Sequence, residues 1–240
     1  MNSDEMSVRL GALVPNWVVP PVPSGEPMTG RYAHLEPLSP ENHAALLYRS
    51  FVGADHVWDY MPYGPFSSAS QYHRWARDHA GRPDPLFHAI RNQETGQWEG
   101  VASYLRVAPQ VGSVEVGHIN FSPTLQRTRA ATEAMYLMMK WAFEAGYRRY
   151  EWKCNALNAG SRRAAQRLGM SFEGVFRQAA VVKGRNRDTA WFAAIDTEWP
   201  ALKEAFEAWL SPANFDSSGG QIERLGDLTS LVRAATDPTL

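Results

Sequence analysis

The sequence predicts a mixed α/β fold, a mostly antiparallel sheet of about seven strands flanked by helices. Seven segments have the alternation or the β-branched and aromatic content of strands, and several are joined by short turns that make antiparallel hairpins. One strand–helix–strand unit over residues 114–155 requires a parallel pair and a right-handed crossover. The composition sets the scale: 240 residues, 44% of them apolar and 12% aromatic, can bury a large core, which excludes a disordered chain.

The elements follow in order. Residues 1–30 carry Pro15, Pro20, Pro21, Pro23 and Pro27, so this arm should run extended without a sheet ladder, with Trp17 and Val18-Val19 available to pin it. Residues 32–38 alternate as a short strand. Ser39-Pro40-Glu41 then starts a helix to about Phe51, with Ser at the cap and Pro at the first helical position. Residues 59–65 form an aromatic loop rich in breakers. Ser67 or Ser68 caps a second helix to about His79, ended by Gly81, Pro83 and Pro85. Strands 86–91 and 98–107 meet across Glu94-Thr95-Gly96, and strand 114–121 follows a turn at 109–112. Residues 130–145 place Ala131, Met135, Met138 and Ala142 on one helical face, and Gly146 supplies the stop. Strand 150–155 alternates cleanly, and a shorter helix over 158–168 has Asn158 at its cap. Segments 172–182 and 189–195 make a hairpin around Lys183–Asn186, and Glu198-Trp199-Pro200 opens a helix to about Leu210. Beyond it lies only a weak apolar stripe of Leu225, Leu228, Leu231 and Val232. The expected organisation is an arm over 1–30, a main domain over 31–198, and a C-terminal helix and tail over 199–240.

Charge and cysteine content narrow the function. A formal net charge of −1 argues against a dedicated nucleic-acid binder. The single cysteine, Cys154, excludes an internal disulfide framework and any multi-cysteine zinc site, fits a reducing compartment, and reads as a buried strand residue. The seven histidines show no metal-ligand spacing. No apolar run is long enough to cross a membrane, and Met1–Glu5 is acidic where a signal peptide is basic. The expectation is a soluble cytoplasmic protein with no nucleic-acid, membrane or metal partner; a homodimer is left open.

Two segments can carry chemistry. In the first, strand 114–121 runs through Gln126-Arg127-Thr128-Arg129 into a helix that opens Ala130-Ala131-Thr132. Unpaired amides at a helix start attract anions, and arginine forks suit phosphate; the alternative is two solvated surface charges. In the second, Asn158 and Ser161 stand at a helix start just past a strand end, a favoured ligand position in α/β sheets; the alternative is a cap without function.

Together these segments resemble the GNAT superfamily of acyl-CoA-dependent N-acyltransferases, and within it the RimJ/RimL-like branch. Residues 126–131 occupy the frame of the family's pyrophosphate loop, and Asn-x-x-Ser, Leu-Gly-Met and Glu-Gly-Val over 158–175 are similar to that branch. The likeness covers about residues 31–196. It departs where Arg127 and Arg129 stand in place of loop glycines, so the loop should hold ordinary dihedrals.

The resemblance implies acetyl-CoA as co-substrate and direct transfer of its acetyl group to a primary amine in a ternary complex. The acceptor is a protein N-terminus or a small-molecule amine. The alternative is a catalytically weak acyl-CoA-binding sensor, suggested by the loop arginines. The implied cofactor contacts are Asn120, Phe121, Ser122, Gln126, Arg127, Thr128, Arg129, Ala130, Ala131, Thr132, Asn158 and Ser161. Backbone near Asn120–Phe121 would serve the oxyanion, Ser161 the leaving thiolate, and Glu115 the amine as base. An ordinary cross-strand carboxylate is the competing reading of Glu115. His118 falls on the opposite strand face unless a bulge intervenes. RimL-like enzymes can carry a carboxylate on the strand after Glu-Gly, a place held here by Ala180. Trp58, Tyr60, Tyr63 and Phe66, with His118, are candidates for the acceptor wall, against a reading of the aromatics as packing under a loop.

Overall fold

The computed structural model describes residues 10–240; the acidic Met1–Glu5 start lies outside them. The elements are β1 (Met28–Thr29), β2 (Ala33–Pro37), α1 (Pro40–Phe51), α2 (Ala69–His79), β3 (Leu86–Asn92), β4 (Trp98–Ala108) and β5 (Ser113–Phe121). Then come α3 (Arg129–Glu144), β6 (Arg149–Asn155), α4 (Ala159–Arg167), β7 (Ser171–Val182), β8 (Arg185–Ile195), α5 (Trp199–Leu210) and α6 (Leu225–Ser230). They build one eight-stranded sheet in the order β1-β2-β3-β4-β5-β6-β8-β7. All neighbours are antiparallel except β5 and β6, which flank α3 as the parallel pair the sequence requires.

The local signals explain the ends of the elements. Ser39 and Ser68 accept from the amides of Asn42 and Gln71, capping α1 and α2, with Pro40 at the first turn of α1. The β7–β8 turn is tighter than its sequence suggests. Lys183 (φ 49°) and Gly184 (φ 73°) are both left-handed, as a two-residue hairpin turn demands, and this extends β8 back to Arg185.

Each face of the sheet has its own apolar layer. On one, Phe87, Ala89 and Val101 pack under α1 and α2 with Leu47, Phe51, Trp58, Tyr72 and Trp75. On the other, Val114, Val116, Tyr150, Trp152 and Phe192 pack under α3 with Met135, Met138 and Ala142. Helix α5 covers α3 through ring contacts between Tyr136 and Phe206 (5.2 Å) and between Phe143 and Trp199 (5.1 Å).

Two expectations are corrected. The arm was expected to make no ladder, yet Met28 and Thr29 pair with Leu35 and His34. Prolines stop at Pro27, so both residues keep their amides and can bond. The pin of the arm is Trp17, whose ring lies where a Cβ on Gly112 would come within 2.4 Å; Val18 and Val19 stay exposed. Most of the weak apolar stripe of the tail docks: Leu228 and Val232 pack on the core, while Leu231 stays exposed. Leu225 is fully buried, the Thr229 hydroxyl donates to the Arg167 carbonyl of α4 (3.0 Å), and Asp237 pairs with Arg162.

Among the described residues, no helix is long and apolar enough to cross a membrane.

Candidate active site

The site grows from one irregularity of the sheet. β5 and β6 run paired only from Ser113–Val116 against Arg149–Trp152. Beyond that point β5 stays with β4 and β6 with β8, so the strands splay and leave residues 117–121 and 153–155 facing an opening. The chain leaves β5 for the start of α3, and leaves β6 for the start of α4. Both helix N-termini therefore stand beyond the open end of the two parallel strands.

At the α3 start the amides of Gln126, Thr128, Ala131 and Thr132 are bonded within the chain. Those of Arg127, Arg129 and Ala130 have no acceptor among the described residues, which leaves three donors at the positive end of a helix. The cap is Thr128, whose hydroxyl accepts from the Ala131 amide and donates to the Leu125 carbonyl. The loop does not hold ordinary dihedrals: Arg127 sits at φ 63°, in the left-handed region. Leu125 is locked in the core and Thr128 is locked as cap, so the residue between must take the turn whether or not it is glycine.

The two loop arginines have separate fates. Arg129 pairs with Glu94, and its guanidinium lies 4.8 Å from the ring centroids of both Tyr32 and Phe215. Arg127 is exposed and makes no bond to the described chain. Ser122 is committed to the loop, accepting from the Leu125 amide, and the Gln126 side chain donates to the Phe121 carbonyl. Thr132 accepts from Arg167 (3.0 Å), which ties the start of α3 to the last turn of α4. Asn120, on β5, is 3% exposed, and neither atom of its amide has a partner in the chain.

Asn158 caps α4, its side-chain oxygen accepting from the Ser161 amide (3.0 Å). The Ser161 oxygen accepts from the Trp152 indole nitrogen (2.9 Å), so its hydroxyl proton can donate, to the nearby Cys154 sulfur or to a ligand. Trp152 was legible only as an inward strand residue; nothing in the alternation signals that it orients Ser161.

Glu115 is 3% exposed and clamped between Arg106 Nη1 (2.7 Å) and Lys153 Nζ (2.8 Å). Lys153 continues to Glu151 (2.7 Å) and Arg149 joins Glu151 to Glu173, so the carboxylate heads an ion ladder across β4–β7. Burial raises the Glu115 pKa, opposed by Lys153 and Arg106. Glu115→Gln should destabilise the fold by about 2–4 kcal/mol, because a cation loses its buried partner. If the clamp makes Glu115 structural, the folded fraction should keep its turnover within about threefold; a fall of about 10²-fold or more would mark it as the base. Urea unfolding and saturating turnover separate the two effects.

The bulge that would bring His118 round is present. Val101 faces Asn120 and Ser103 faces Gly117, so Ala102 opposes both His118 and Ile119, and His118 adopts φ 51°. Its Nδ1 lies 3.1 Å from the Tyr63 hydroxyl, and the two rings stack at 5.7 Å. Burial, with His79, Arg106 and Arg187 nearby, pushes the His118 pKa down to about 4. Burial also keeps Tyr63 a phenol.

The remaining loop aromatics divide. Trp58, 2% exposed, is core packed on Phe51, Phe66 and Tyr72. Tyr60 is exposed and bridges to the Leu157 carbonyl (3.2 Å) at the α4 side of the opening. A cavity of about 280 Å³ opens between α1, α2 and this loop, lined by Tyr48, Phe51, Trp58, Phe66 and Tyr72 and by no residue of β5 or β6.

Residues 33–171 match the family model described as the acetyltransferase (GNAT) domain. A GCN5-related N-acetyltransferase from Brucella melitensis is 42% identical over 90% of this chain and 100% of its own, with a TM-score of 0.88. A GNAT-family protein from Chromobacterium violaceum is 41% identical over 79% of this chain and 96% of its own, with a TM-score of 0.74. RimL, a ribosomal L7/L12 α-N-protein acetyltransferase, is 19% identical over 71% of this chain and 94% of its own, with a TM-score of 0.61, a likeness of fold alone. No curated protein sequence matches the chain. The chain belongs to the GNAT acetyltransferase family.

Proposed function

We propose that the protein transfers the acetyl group of acetyl-CoA directly to a primary amine. The observation that carries this reading is the splay of β5 from β6 toward a helix start with three free amides. Those amides and Arg127 would hold the diphosphate, and the unpaired strand edges and Asn158 the pantetheine arm. Acetyl-CoA supplies an activated acetyl group as a thioester. His118, neutral at pH 7, donates from Nδ1 to the Tyr63 oxygen and offers the Nε2 lone pair to the amine proton, in place of the clamped Glu115. Ser161, oriented by Trp152, donates to the departing sulfur. Backbone of Asn120–Phe121 faces the developing oxyanion.

Free-thiol release from acetyl-CoA with a panel of amines tests the reading. Amine-dependent release is expected. Binding of acetyl-CoA without release for any amine would instead favour a sensor.

Arg127→Ala should weaken acetyl-CoA binding by about 1–2 kcal/mol in titration calorimetry, through loss of a charge-assisted bond. Arg127→Gly should weaken it alike while leaving stability unchanged or raising it by up to about 1 kcal/mol, because glycine suits the left-handed turn. Unchanged affinity in both variants would mean that the amides bind alone.

A further inference from the structure

Arg187 is a half-buried arginine whose side chain has no partner among the described residues. It lies on β8, two residues before Thr189, which faces Asn155 at the end of β6. By strand alternation its side chain shares the face of Thr189, Trp191 and Lys153, the face that also carries Glu115 and Asn120. Arg187 therefore stands one step past the end of β6, over the opening between the splayed strands and on the side of His118.

Other half-buried arginines are better provided for: Arg129, Arg149 and Arg162 pair with carboxylates, and Arg167 and Arg233 donate to the Thr132 hydroxyl and the Gln166 carbonyl. Arg187 is half-buried, its Nε has no access to solvent, and it makes neither hydrogen bond nor ion pair among the described residues. One N–H of the guanidinium is shut off from water without an acceptor while its other nitrogens stay open to solvent, an arrangement that can take up an anion. Asn120 on the same face is likewise buried with its amide unsatisfied, so this side of the opening holds polar groups waiting for a polar ligand. The rims are drawn together overhead: Lys183 Nζ bonds the Trp58 carbonyl (2.9 Å) and Tyr60 bonds the Leu157 carbonyl. That roof favours a compact acceptor over a peptide lying in a groove.

We infer that the acceptor is a small-molecule amine bearing an anionic group, carboxylate or phosphate, which Arg187 binds while the amine faces His118. This rests on the acetyl-transfer reading and narrows its substrate.

The test is calorimetric, on the full chain with and without CoA. The probes are matched pairs: ω-amino acids of two to six carbons against their primary amides, and aminoalkyl phosphates against the corresponding amino alcohols. The anionic member of at least one pair should bind tenfold or more tightly than its neutral mate. That preference should fall below twofold in Arg187→Gln and survive in part in Arg187→Lys; the pair that shows it identifies the anion. Every pair within twofold in the unmodified protein, or a preference untouched in Arg187→Gln, overturns the inference. So does a short acidic peptide that binds more tightly than every small amine. Acetyl-CoA titrated into the same preparations keeps the two claims apart: failure to bind it sinks the transfer reading, whatever Arg187 does.

Discussion

His118→Gln is expected to lower kcat by about 10²–10⁴-fold while the affinity for acetyl-CoA stays within about twofold. The bulge at His118–Ile119 turns this imidazole toward Tyr63 at the edge of the opening, away from the α3 start proposed to hold the diphosphate. A base with a pKa near 4 is weak toward a free ammonium ion. It is strong enough once the amine nitrogen has bonded to the acetyl carbon, because that nitrogen then becomes far more acidic. The pH profile carries the signature. A group lowered from 6.5 to about 4 is already neutral above pH 5, so no inflection should occur near 6.5. From pH 5 upward, kcat/KM should climb with the free-amine fraction of the acceptor. The sign for stability runs the same way: a lowered histidine pKa favours the neutral folded form, so its contribution is complete above 6.5 and is lost as the pH falls toward 4. Tyr63→Phe should cost less, since it removes the partner of Nδ1 and not the proton acceptor. An unchanged kcat in His118→Gln would move the proton to water.

Glu133→Ala should cost about 3–5 kcal/mol, enough to unfold much of a marginally stable domain at 37 °C. Its carboxylate, buried on α3, accepts from three consecutive amides, those of Arg31 (2.9 Å), Tyr32 (2.5 Å) and Ala33 (2.7 Å). These amides lead into β2 and lose their acceptors together if the carboxylate goes. The fit is close: a Cβ on Gly30 would come within 2.3 Å of the Glu133 carboxyl carbon, so Gly30→Ala should be destabilising as well. Glu133→Gln, which keeps the shape and one acceptor oxygen, should cost less than alanine. A midpoint for Glu133→Ala within about 0.5 kcal/mol of the unmodified protein in urea unfolding would mean that water satisfies the amides.

These residues show what the sequence makes legible. Caps, breakers and alternation are local, so Ser39, Ser68, Asn158 and the runs of β5 and β6 give their elements directly. The site depends on registers between distant strands. Nothing local to Gly117-His118-Ile119 announces a bulge, because the extra residue is defined only against Ala102. Glu133 reads as one more polar helix residue, since its partners lie about a hundred positions away. Arg127 and Arg129 look equivalent until Glu94, Tyr32 and Phe215 arrive from elsewhere to occupy one of them. In the sequence Arg187 is one charge in a hairpin. What marks it is the absence of a neighbouring carboxylate, which only the folded chain shows.

Amide hydrogen exchange with and without acetyl-CoA measures directly where the co-substrate sits. Protection should rise at Arg127, Arg129 and Ala130, whose amides have no acceptor in the chain, and along residues 117–121 at the unpaired edge of β5. Acetyl-CoA that binds while these amides exchange as fast as before, with protection gathered instead around the α1–α2 cavity, would contradict the account.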